Sequence, residues 1–197
     1  MTQQIVLASN NTGKIREIQA LLAGLDVEIL PQSAFIQQDA EETGTTFLEN
    51  ALIKARFAAS VSGLPAVADD SGLEVDALGG APGVYSARYA GEGAGDAANN
   101  EKLLREMAGV EDAARTARFR CCMVYVRDAD DPSPLVAEEA WEGLILRELR
   151  GVNGFGYDPL FYVPDRACSS AELPPAEKNL ISHRGKALRA LAARMAV

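Results

Sequence analysis

The chain has 197 residues, 48% apolar and 24% charged, with a formal net charge of −9. That length suffices for one large domain or two lobes sharing a cleft. No apolar run approaches the ~20 residues of a membrane span, and the negative charge argues against binding long nucleic acid through Lys and Arg on phosphates. Three cysteines, two of them adjacent (Cys121 and Cys122), make neither a disulfide framework nor a zinc spacing. Met1-Thr2-Gln3-Gln4 carries no positive leader, so a reducing cytoplasm is the expected location.

In chain order, Ile5-Val6-Leu7-Ala8 reads as a short buried strand. It feeds Ser9-Asn10-Asn11-Thr12-Gly13-Lys14, after which Ile15, Ile18 and Leu22 recur at helical spacing. A helix opening of this kind carries unpaired, partly positive N–H groups suited to phosphate. Lys14 in the first turn opposes the helix macrodipole by ~0.3–1 kcal/mol. It is therefore either a solvated lysine or the partner of an anion bound there. The loop lacks the first glycine and the Lys-Ser/Thr pair of a Walker A motif.

Val27 to Pro31 predicts a second strand, followed by an acidic loop from Asp39 to Gly44 containing Glu42. Thr46-x-x-Glu49 is a capping box for a helix to about Ser62, closed by Gly63. Lys54 and Arg56 lie in it, and a charged outer face with a Glu49 pair is the simplest account. Pro65 to Ala68 reads as a strand end that delivers Asp69, Asp70 and Ser71 into a turn broken by Gly72. Adjacent carboxylates are costly to desolvate without a cation beside them. A divalent metal, a general base or a solvated turn would each satisfy the pair. An extended backbone would point the two aspartates to opposite sides.

Asp96 to Met107 predicts a helix, and Thr116 to Val126 alternates as a half-buried strand. Leu135 to Leu149 returns as a second extended segment, so a long antiparallel hairpin is expected. Cys121 and Cys122 are then packing residues, and Trp141 belongs to the core or a cleft wall. In Gly154-Phe155-Gly156-Tyr157-Asp158-Pro159, flanking glycines would let the backbone approach a flat ligand while Phe155 stacks on it. A turn with its aromatics folded into the core is the alternative. His183, Arg184 and Lys186 crowd the start of a final helix with Leu188, Leu191 and Met195 inward, which again suggests a bound anion or polar ligand. No repeat or linker interrupts the chain, so residues 1–197 form one unit.

Five motifs occur in register: Ser9-Asn10-Asn11-x-Gly13-Lys14, Ala68 to Leu73, Gly79-Gly80-Ala81-Pro82-Gly83 through Tyr89, Gly154 to Pro159, and Ser182-His183-Arg184-Gly185. On these the chain resembles, over essentially its whole length, the RdgB/HAM1 family of noncanonical purine nucleoside triphosphate pyrophosphatases (inosine triphosphatases). The resemblance implies an α/β fold with an elongated mixed β-sheet flanked by helices, two lobes and a central active-site cleft, in a homodimer. It implies magnesium-assisted hydrolysis of ITP, dITP and XTP to the monophosphate and pyrophosphate. By the same resemblance Asp70 is the proton acceptor and a metal contact, Glu42 the second magnesium ligand, and Asp69 their support. Lys14 and Lys54 hold a triphosphate cradled by Ser9, Asn10, Asn11, Thr12 and Gly13. Ser71 contacts substrate, and Phe155 stacks on the base with Gly156, Tyr157 and Asp158 as its wall. Lys178, His183 and Arg184 read the base and close the pocket. One departure from the family pattern is Leu173-Pro174-Pro175-Ala176 before Glu177-Lys178, where paired prolines remove backbone donors. A different course of the chain is expected there first. A nucleotide sensor without catalysis and a phosphatase releasing orthophosphate are the two other readings these residues allow.

Overall fold

The computed structural model describes residues 3–22 and 27–195, the side chains of Leu21 and Leu22 excepted, so the inward role expected of Leu22 lies outside the described residues. The strands are β1 (Gln3–Leu7), β2 (Val27–Pro31), β3 (Ala66–Val75), β4 (Thr116–Val126), β5 (Leu135–Ile145), β6 (Phe161–Val163) and β7 (Cys168–Ser169). The helices are α1 (Thr12–Leu22), α2 (Phe47–Ser62), α3 (Asp96–Glu106), α4 (Pro175–Ile181) and α5 (His183–Met195). The strands form one sheet in the order β2-β1-β3-β4-β5-β6-β7. β1 is parallel to β2 and β3, with Val6 opposite Leu30 and Ala66. β6 is antiparallel to β5 and β7, which makes the sheet mixed.

Two compact units divide the chain: Met1–Asp70 with Cys121–Glu139 and Arg184–Val197, and Ser71–Arg120 with Ala140–His183. In the first, strand alternation sends Ile5, Leu7, Cys121 and Met123 into one apolar cluster with Leu188 and Leu191. Val6, Ala8, Cys122 and Val124 enter another, where Ala51, Ala55, Ala58 and Ala59 of α2 pack. β1 is thus buried on both faces here, and so is β4 from Cys121 to Val126, where the half-buried strand expected from alternation is replaced by one packed on both sides because its other face is apolar too. Cys121 and Cys122 are packing residues, as expected. Thr46 caps α2: its side chain accepts from the Glu49 amide at 3.1 Å, while Glu49 accepts from the Thr46 amide at 3.1 Å. Gly63 closes the helix at φ 68°.

The second unit packs Leu73, Val75, Leu103, Met107, Phe119, Trp141, Leu160 and Phe161 together, which places Trp141 in the core. Arg115 is buried there and donates to the carbonyls of Ile145, Met107 and Leu146 at 2.6, 2.7 and 2.9 Å. These bonds tie the end of α3 to the end of β5.

Two further expectations change. Asp69-Asp70-Ser71-Gly72 is not a turn, because β3 runs through it to Val75. Its turn-like composition is overridden by pairing inside the sheet, where β3 lies beside the eleven-residue β4. The segment after β4 ends as a strand at Ile145 rather than Leu149, which is exposed in the following loop. No helix among the described residues is long and apolar enough to cross a membrane. Leu73, fully buried just beyond the aspartates, gives a direct test of this core: Leu73→Ala should lower stability by about 2–5 kcal/mol in urea unfolding.

Candidate active site

The loop after β1 is held by its own side chains. Asn11 Oδ1 accepts from the amides of Gly13 and Lys14 at 2.9 and 3.1 Å, so it caps α1. Two of the N–H groups expected to be open to phosphate are therefore satisfied within the protein. Ser9 Oγ accepts from the Asn11 amide at 3.2 Å, and Asn10 Nδ2 donates to Asp39 Oδ1 at 2.8 Å, which fastens the loop to the acidic segment. Asn10, Asn11 and Thr12 stay exposed.

Extended backbone at Asp69 and Asp70 sends their carboxylates into different company. Asp69 is buried and meets Lys14 Nζ at 2.9 Å and Arg184 Nε at 3.2 Å. Arg184 is buried too and also pairs with Glu17 of α1. Burial alone would raise the Asp69 pKa, but Lys14 and Arg184 outweigh it and hold the carboxyl far below its ordinary value. Arg184, penalised by burial yet facing Asp69 and Glu17, is held firmly protonated. The anion that justifies a lysine in the first turn of α1 is thus Asp69. The cation at the start of α5 is likewise answered by protein carboxylates.

Asp70 faces Lys54 instead, with Nζ to Oδ1 at 2.7 Å, and the same ammonium reaches Glu42 Oε1 at 3.0 Å. The Glu49 to Lys54 pairing expected on α2 is replaced: Glu49 is spent on the helix cap, and Lys54 turns toward β3 and the acidic loop. Burial pushes the Asp70 pKa up, and Lys54 only partly offsets it. Burial disfavours the charged Lys54, but Asp70, Asp69 and Glu42 prevail and raise its pKa. Asp70 Oδ2 is buried and has no hydrogen-bond partner among the described residues.

That orphaned acceptor tests the fit of a divalent metal. Glu42 and Asp70 converge on one cation, and among the described residues no group of three or more His, Cys, Asp or Glu is placed to hold a metal ion. Magnesium takes one or two carboxylates and fills its shell with phosphate oxygens and water, so this donor set fits it. Around the carboxylates of Glu17, Glu42, Asp69 and Asp70 stand the cations Lys14, Lys54 and Arg184.

In the second unit Gly154 and Gly156 adopt φ of 77° and 60°, on either side of Phe155. A Cβ at Gly154 would lie 2.0 Å from Asp158 Oδ2, so only glycine lets that carboxylate close the loop. Asp158 is buried and accepts from the Phe155 amide at 2.9 Å, Ser170 Oγ at 2.8 Å and Lys178 Nζ at 2.7 Å. Lys178 Nζ lies 5.1 Å from the centroid of the Phe155 ring. Tyr157 is buried and donates its hydroxyl to the Ser86 carbonyl at 2.7 Å. Phe155 stays half-buried. Pro174 stands at the N-cap of α4 and Pro175 in its first turn, where a missing N–H costs nothing. His183 stacks on Phe119 at 4.8 Å between centroids. Ser71 and His183 belong to this unit, each one peptide bond from Asp70 and Arg184.

Two supporting residues were not singled out from sequence. Glu17 lies three residues from Lys14 and would be read as its helical partner, yet its mate is Arg184, 167 residues away. Asn50 is fully buried and accepts from the Gly44 amide at 2.8 Å, which anchors the acidic loop on α2. A poor helix former in the first turn of a helix already capped by Thr46 was the available signal.

A mixed α/β sheet with an interior strand bearing two oppositely directed aspartates, each met by a lysine from a different helix, defines the class of protein. Residues 5–194 match the model of the Ham1 family, and the chain belongs to that family. It is 59% identical over 192 residues to the dITP/XTP pyrophosphatase of Thioalkalivibrio sulfidiphilus, covering 98% of each chain. It is 60% identical over 193 residues to that of Pseudomonas aeruginosa, covering 98% of this chain and 97% of the relative. A HAM1 protein from Coxiella burnetii has a solved structure that superposes with a TM-score of 0.91 at 52% identity, over 98% of each chain.

The Asp69 cluster yields a stability test. Removing one partner of a buried ion pair leaves the others uncompensated, so Asp69→Ala should cost about 3–5 kcal/mol in urea unfolding. Because the folded-state pKa of Asp69 is lowered, its stabilisation is fully present above the unfolded value and is lost as pH falls through the folded one. The stability gap between the native chain and Asp69→Asn should hold steady from pH 7 to about 5 and shrink only below about 4.

Proposed function

We propose that this chain hydrolyses dITP and XTP, the substrates named for its relatives, together with ITP, to the monophosphate and pyrophosphate. It would thereby keep deaminated purines out of nucleic acid. The observation that carries the mechanism is the convergence of Glu42 and Asp70 on one cation with Asp70 Oδ2 left without a partner.

Glu42 and Asp70 would hold magnesium, whose charge would offset that of the triphosphate. Asp70 Oδ2 takes a proton from the attacking water, and burial, by raising the Asp70 pKa, makes it a better base than a solvated aspartate. The water oxygen bonds to the α-phosphorus as the bond to the bridging oxygen breaks, and pyrophosphate leaves. Lys54 orients Asp70 and Glu42 and, with Lys14, faces the phosphates. Ser9, Asn10, Asn11, Thr12 and Gly13 line the same loop, and Ser71 contacts the substrate. Asp69 works by holding Lys14 and Arg184 in place.

Phe155 stacks on the base, with Gly156, Tyr157 and Asp158 shaping the loop that presents it. Lys178 and His183 contact the base. A donor there favours the O6 acceptor of hypoxanthine and xanthine and would leave the adenine amine unpaired. Arg184, engaged by Asp69 and Glu17, orients the start of the helix on which His183 sits. Residues 1–197 act as one catalytic domain, in a cytoplasmic homodimer, which follows the family resemblance.

A product assay with ITP, XTP, GTP and ATP tests the reading. Pyrophosphate rather than orthophosphate should appear from ITP and XTP, only with magnesium, and ATP should be a poor substrate; orthophosphate from all four would overturn it. Asp70→Asn should lower kcat by at least about 100-fold while the protein stays folded by circular dichroism.

A further inference from the structure

The loop carrying Phe155 is held from two directions, and only one involves residues given a role above. Asp158, with Lys178 and Ser170, closes it on one side. On the other, α3 grips Gly156 by both of its backbone polar groups. The Gly156 amide donates to Asp96 Oδ2 at 2.7 Å, and the Gly156 carbonyl accepts from Asn100 Nδ2 at 2.8 Å. Asp96 and Asn100 are four residues apart and so lie on one face of the helix. Asn100 is buried, and its Nδ2 also donates to the Asp96 carbonyl at 2.9 Å, which fixes its amide orientation. Neighbouring Asn99 accepts from the Ala90 amide at 2.8 Å and donates to the Ala87 carbonyl at 3.1 Å, so this part of α3 organises two loops at once.

Gly156 sits at φ 60°, and a Cβ there would meet nothing within 4 Å. Its left-handed conformation is thus not imposed by crowding; two hydrogen bonds select it from the wide range glycine can adopt. We infer that Asp96 and Asn100 are positioning residues for substrate affinity, pre-ordering the Phe155 loop in its base-facing conformation. The inference rests on the proposed stacking of Phe155 on the base. Without the clamp the loop populates other conformations, and the apparent dissociation constant rises by the inverse of the competent fraction. Chemistry at the phosphate, carried by residues of the other unit, keeps its rate once substrate is bound.

Steady-state kinetics with dITP test this in Asp96→Ala, Asp96→Asn, Asn100→Ala and Phe155→Ala. Losing one hydrogen bond to the loop should raise KM roughly three- to tenfold in Asp96→Ala and Asn100→Ala with kcat within about twofold of the parent. Asp96→Asn keeps an acceptor and should restore most of the affinity. A merely structural role would lower the melting temperature and leave KM unchanged, and that result in Asp96→Ala overturns the inference. Asp96 is exposed, so this variant remains informative where Asn100→Ala does not fold. If Phe155→Ala raises KM but the α3 variants do not, the clamp alone fails. If Phe155→Ala leaves KM unchanged, the base-stacking reading fails and the clamp with it.

Discussion

The pairing of buried charge around β3 is the constraint on which the rest of the site depends. Two adjacent aspartates cannot be buried in a sheet unless each finds a cation, since an isolated buried carboxylate is prohibitively costly. Strand geometry forbids them the same one. Asp69 therefore draws Lys14 from α1 and Arg184 from α5, and Asp70 draws Lys54 from α2. Three helices are thereby tied to one strand by electrostatics, and the alanine stripe of α2 and the apolar faces of β1 and β4 complete the packing.

This pairing also divides labour between residues of the same type. Opposing charges drive Asp69 deep into its ionised form, whereas Asp70 keeps a raised pKa and an unpaired oxygen. Two carboxylates whose environments push their affinities for protons apart are the usual mark of one structural and one reactive member. Of the two, Asp70 is the carboxylate left with an oxygen open to a proton or a cation, which is the basis of the role proposed for it.

Much of the fold was legible because local signals were strong. The Thr46–Glu49 capping box and the Gly63 stop rest on interactions within a few residues, and the bounds of β2 and β4 follow short-range apolar patterning. What sequence could not supply was long-range. Asp69-Asp70-Ser71-Gly72 has the composition of a turn and becomes strand only because neighbours pair with it. The Lys14 and Arg184 cations suggested external anions, because Asp69 and Glu17 meet them through tertiary contacts that spacing does not encode. The Gly154–Phe155–Gly156 pattern pointed to a shaped loop, but the Asp158 carboxylate that requires Gly154 was visible only in three dimensions.

One consequence of the Asp69 cluster reaches beyond the site. The Cys121 sulfur lies 3.6 Å from Asp69 Oδ2 in a fully buried setting. Desolvation and then the neighbouring carboxylate both oppose its thiolate and raise its pKa well above normal. Oxidants and alkylating agents act on thiolates, so a cysteine set among the site's charges is kept chemically silent. The arrangement that fixes the lysines thus also keeps the Cys121 thiol protonated, while Cys122, next in the strand, enters the apolar cluster on the other face.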